Sequence, residues 1–140
     1  MYSLWCFNNI TLVFDNEAIY NICQRNLHIA KPDVNNINRL IAKVISSVTA
    51  PFRFDGEFHT NLNELQASLI PFPSLQFITT GMSPIVSKMD ATTTLNDVQT
   101  ITNECLNPTN WLVHYDSFNP INDKYLSIML NYRGNITSKE

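Results

Sequence analysis

Glu64 has the strongest claim to chemistry in this sequence. It closes the run Phe54-Asp55-Gly56-Glu57-Phe58-His59-Thr60-Asn61-Leu62-Asn63-Glu64, a glycine turn and short polar residues ending on a carboxylate where a helix begins. A carboxylate in that place is either a catalyst or a helix cap. Asn61, followed three residues later by Glu64 and then by the apolar Leu65 and Leu69, has the form of a capping box with Asn in place of Ser or Thr. Each side chain would satisfy an orphan amide, the Asn cap contributing about 0.5–2 kcal/mol. The local pattern alone favours the cap.

Other chemistries are less well supported. Cys6, Cys23 and Cys105 are odd in number and far apart, with no CxxC pair, which argues against a disulfide framework and against a zinc site. Buried free thiols are the simpler reading. The net charge is −3 and the nine basic residues are spread along the chain, so no electrostatic footprint for nucleic acid exists. The opening MYSLWCFNNITLVF is apolar in places but lacks a basic start and is split by Asn8 and Asn9, so it supports neither a signal peptide nor a membrane span. The cytosol is the expected compartment. Without a secretory signal, the sequons at Asn9 and Asn135 are expected to stay unmodified.

The elements that must position Glu64 follow from periodicity. Asp15 and Asn16 can cap a helix whose apolar positions run from Ala18 to Leu27. Asp33 precedes the strongest periodic signal, a stripe of Val34, Ile37, Leu40, Ile41, Val44, Ile45 and Val48, and Pro51 is expected to end that helix. A short helix follows from about Leu62 to Leu69, and the break at Pro71-Phe72-Pro73 leads into an expected strand over 74–80. A long connection over 81–96, a helix from Val98 to Cys105, and strands over 111–115 and 124–132 complete the pattern. The switch from helices to strands near residue 70 suggests that the chain straddles a domain boundary.

The segments DNEAIYNICQRNL, NNINRLIAKVISSVTA, RFDG, LIPFP, ITNEC and NYRG, in this order and at nearly matching spacing, resemble the α-tubulins of the tubulin/FtsZ family. The likeness covers about residues 13 to 140, and Glu64 with the RFDG tetrapeptide points to the α rather than the β type. It implies an α/β fold: the edge and central helix of a Rossmann-like GTPase domain over 1–60, then part of a two-layer α+β sandwich domain over 61–140. The family's glycine-rich phosphate loop and its acidic tail match nothing in this sequence. The isolated chain is therefore expected not to bind or hydrolyse GTP, and its central stripe, lacking one of the two domains that flank it in the family, is expected to leave an apolar face exposed.

The resemblance also implies roles for single residues. Asn16 matches an asparagine that reads the guanine edge of GTP and Asn38 a second one facing the same base, a carboxamide offering both donor and acceptor. Where the family stacks an aromatic on the base, this chain has Val34. Glu64 matches the residue that reaches across the longitudinal contact to position or activate water against the γ-phosphate of GTP held by the next subunit. His59 and Asn61 stand where the family carries an Asn and an Asp. The loop from Met82 to Asn96 matches the one making lateral contacts between protofilaments, and 116–123 replaces a shorter, more basic turn.

The expected function is thus an α-tubulin-like structural constituent of microtubules in the cytoplasm and cytoskeleton. Its expected partners are β-tubulin and lateral tubulin neighbours, with GTP, and Mg2+ in complete family members, as the implied cofactor. The alternatives are a non-polymerising interaction module or an incomplete gene model.

Overall fold

The computed structural model describes residues 2–7, 9–54, 61–92, 97–117 and 122–134. Strands β1 (Tyr2–Phe7) and β2 (Ile10–Asp15) form an antiparallel hairpin in which Phe7 faces Ile10 and Tyr2 faces Asp15. The turn between them is possible because Asn9 takes φ 66°, a left-handed conformation that asparagine tolerates. Asn9, inside the apolar opening, therefore lies in a hairpin turn. On its other edge β2 pairs in parallel with the two-residue β3 (Phe77–Ile78), giving the order β1-β2-β3.

β2 runs directly into α1 (Asn16–Leu27), with Asp15 as the cap: its carboxylate accepts from the Glu17 amide at 3.1 Å. Asn16 is the first residue inside the helix. The α1 helix ends at His28, whose φ of 54° is left-handed and whose amide returns to the Cys23 carbonyl. Asp33 then caps α2 (Val34–Arg53), accepting from the Asn36 amide at 2.8 Å.

The α2 helix continues two residues past Pro51, so the expected stop is displaced. Proline removes one amide from the ladder, and side chains supply extra bonds around that turn. Thr49 donates to the Ile45 carbonyl at 2.8 Å, and Arg53 donates to the Ser46 carbonyl and hydroxyl at 2.7 and 2.9 Å. The apolar stripe is also better covered than expected. Leu40 and Val44 are buried, Ile37, Ile41, Ile45 and Val48 pack against the core, and Val34 remains exposed.

The core gathers one face of β2 (Ile10, Leu12, Phe14), α1 (Ile19, Ile22, Cys23) and the α2 stripe with Leu65, Ile85 and Leu112. Leu65 lies on α3 (Leu62–Leu69). Helix α4 (Val98–Leu106) is followed by a 3-10 turn at Pro108–Asn110, and an isolated bridge joins Gly81 to Trp111. That bridge, with Leu112 donating to the Thr80 carbonyl at 3.0 Å and accepting from the Asp15 amide at 2.8 Å, is what forms at the strand expected over 111–115.

Residues 124–132 differ more. Ser127 and Met129 are half-buried and Leu126, Ile128 and Leu130 exposed, but the chain bends at Leu126 and the described residues form no ladder there. Alternation alone does not make a strand; a neighbouring backbone must accept it.

Candidate functional site

Glu64 sits in the first turn of α3, exposed, with its Oε2 accepting from the Asn61 backbone amide at 3.3 Å. The Asn61 side chain faces the Glu64 amide, completing the capping box, although that return contact falls short of full hydrogen-bond geometry. Both readings of this carboxylate thus meet in one place: it caps, and it is open to solvent. One oxygen is occupied by a single long bond, which leaves acceptor capacity on the other. The loop that leads to it, 55–60, including His59, lies outside the described residues.

Asn16 is half-buried at the start of α1, and Asn38 is exposed one turn into α2. Among the described residues neither carboxamide makes a hydrogen bond, so both remain available to an outside group. Val34 is 70% exposed at the start of α2. The structure brings α1 and α2 against each other, while Glu64 belongs to a different element.

The loop after β3 is fastened rather than loose over its described part. Ile85 is buried, Ser87 Oγ donates to Asp90 Oδ2 at 2.8 Å, and His28 Nε2 lies 3.1 Å from the same oxygen. His28 and Asp90 are 62 positions apart, so no short-range pattern announces their meeting. Residues 93–96 of this loop lie outside the described residues. Beside it, an open cleft of about 440 Å3 is lined by Leu27, Arg39, Lys43, Val86 and Lys88 among others, and includes none of Asn16, Asn38 or Glu64.

Two thiols have altered acidity. Burial pushes both Cys23 and Cys105 upward; at Cys105 the Glu104 carboxylate adds to this and a hydrogen bond with the Ser83 backbone opposes it. Raised thiols are poor nucleophiles, which fits a packing role. No group of His, Cys, Asp and Glu suited to a metal ion occurs among the described residues.

Residues 73–140 match the tubulin C-terminal domain. The chain is 45% identical over 133 residues to the tubulin alpha-1 chain of Emericella nidulans, covering 95% of this chain and 29% of that protein. It is 47% identical over 130 residues to the tubulin alpha-3 chain of Saccharomyces cerevisiae, covering 93% and 28%. A tubulin alpha chain of Pneumocystis carinii is 46% identical over 126 residues, covering 90% and 58%. The chain belongs to the tubulin family. These relatives are α chains, in agreement with the α-type resemblance of its motifs. This tubulin-family chain spans less than two thirds of the length of each of them.

Within that family frame, the mixed helices and strands agree with an α/β tubulin segment. Asn16 and Asn38 lie on two helices that pack against each other, and neither lines the cleft beside the 82–92 segment. No helix among the described residues is long and apolar enough to cross a membrane.

Proposed function

We propose that this chain is an α-tubulin-like structural constituent of microtubules, acting in the cytoplasmic cytoskeleton. It joins β-tubulin through longitudinal contacts and other tubulins through the loop over 82–96. The observation that carries this reading is the α-tubulin identity, 45% over 133 residues and 95% of this chain. In this reading residues 1–60 belong to the edge of a Rossmann-like GTPase domain and 61–140 to the start of the following sandwich domain.

Asn16 and Asn38 would hold the guanine edge of GTP, each offering a donor and an acceptor. Mg2+ would neutralise charge on the phosphates, held by parts of the family fold that match nothing here. Glu64 would orient a water molecule toward the γ-phosphate of GTP on the neighbouring β-tubulin, since phosphoryl transfer depends on positioning more than on covalent chemistry. The exposure of its carboxylate supports that role.

The test is a chimera in which residues 13–140 replace the matching segment of a complete α-tubulin. Glu64→Gln is expected to leave assembly intact and slow GTP turnover in polymers by about a hundredfold or more. Asn61→Ala attacks the cap and spares the carboxylate. An equal loss of turnover in both variants assigns the effect to loop geometry and removes Glu64 from the chemistry.

A further inference from the structure

Two arginines distant in sequence converge on one exposed aromatic ring. The Arg53 guanidinium carbon lies 5.1 Å from the centroid of the Phe54 ring, and that of Arg133 lies 5.3 Å from the same centroid. Phe54 is 54% exposed where α2 ends, and both arginines are exposed. The two charges are no farther apart than the sum of those distances, comparable with the Debye length of about 10 Å at 0.1 M salt. Like charges so placed repel each other, and the face of an exposed ring offsets that repulsion only in part.

The usual remedy, a carboxylate between them, is not found among the described residues, where neither arginine forms an ion pair. Arg53 commits one nitrogen to Ser46. Arg133 donates no hydrogen bond to any described residue, so among these residues the ring places its guanidinium and its N–H donors are uncommitted. A held, charged fork with unused donors is suited to bidentate recognition of a carboxylate. The surface here is an exposed ring flanked by two cations, which fits an extended acidic chain better than a small enclosed ligand.

We propose that Arg53, Phe54 and Arg133 form a docking point for an acidic peptide segment of a partner protein, the two guanidinium groups each taking a carboxylate. This site is independent of Glu64, Asn16 and Asn38.

The test titrates the full chain with a labelled hexaglutamate peptide, a hexaglutamine peptide and inorganic tripolyphosphate, each at low and high salt. Hexaglutamate is expected to bind, more weakly at high salt, and hexaglutamine is not. Arg53→Gln and Arg133→Gln should each weaken binding about tenfold or more, and Arg133→Lys, which keeps the charge, should recover part of the loss. The double change Arg39→Gln with Lys43→Gln removes two charges from the cleft lined by α2 and should leave binding unaltered. Circular dichroism checks that each variant keeps its helix content. Absence of hexaglutamate binding, equal weakening by the Arg39 and Lys43 changes, or preference for tripolyphosphate over the peptide would each overturn the proposal.

Discussion

β2 and the stretch 124–132 both set apolar residues at alternate positions, yet the fold treats them oppositely. Ile10, Leu12 and Phe14 are 1%, 2% and 1% exposed, whereas Leu126, Ile128 and Leu130 are 75%, 51% and 44% exposed. Hydropathy does not separate the two. β2 has a backbone neighbour on each edge, β1 and β3, and α1 packed against it. The later stretch touches the body through side chains instead: Ser127 donates to the Leu69 carbonyl at 2.8 Å, the Thr102 and Tyr132 hydroxyls bond, and Met129 packs on the core. Burial thus follows the availability of hydrogen-bonded neighbours, because backbone groups cannot leave water unpaired.

The sharpest way to break this comparison is to empty the β2 side. Phe14→Ala removes a fully buried ring and is expected to cost about 3–5 kcal/mol, measured by urea unfolding. A cost below about 1 kcal/mol would show that β2 is no better packed than 124–132. A somewhat smaller loss is expected at the junction beside β2. A Cβ on Gly81 would lie 2.9 Å from the Cys105 carbonyl oxygen and 3.0 Å from Trp111 Cδ1, so Gly81→Ala should destabilise by about 1–3 kcal/mol.

A milder test uses pH. In the unfolded chain the thiols ionise near their ordinary value of about 8.5, and burial raises Cys23 and Cys105 above their usual range in the folded chain. The folded state therefore holds its thiol protons longer. Stability should be full below about pH 8.5 and fall as the pH rises through the folded values. Replacing both cysteines by Ala should flatten that fall in unfolding curves. The smallest effect belongs to the exposed stretch, where Leu126→Ser should change stability by no more than about 0.5 kcal/mol while lowering concentration-dependent association in light scattering.

Helices were legible in the residue pattern because each carries its own signals. Asp15, Asp33 and Asn61 mark helix starts, and the α2 stripe keeps the helical period. The hairpin was hidden because Asn8-Asn9 reads as an interruption of an apolar run; an Asn pair between two runs rich in β-formers is the cue that would have revealed it. The strands expected at 111–115 and 124–132 depend on partners that no local pattern specifies. The site divides the same way. The capping box at Glu64 is local and could be read directly, whereas Arg133 reaches Phe54 from 79 positions away by the numbering, which only the fold arranges.

The bond between the Asn61 amide and Glu64 makes one backbone proton a reporter of where that carboxylate points. While Oε2 stays folded back, the Asn61 amide is shielded and exchanges slowly with solvent deuterium. Each outward turn of the side chain toward solvent exposes it. The exchange rate at this single position therefore counts the moments at which the Glu64 carboxylate is turned away from its own helix, with no nucleotide in the tube.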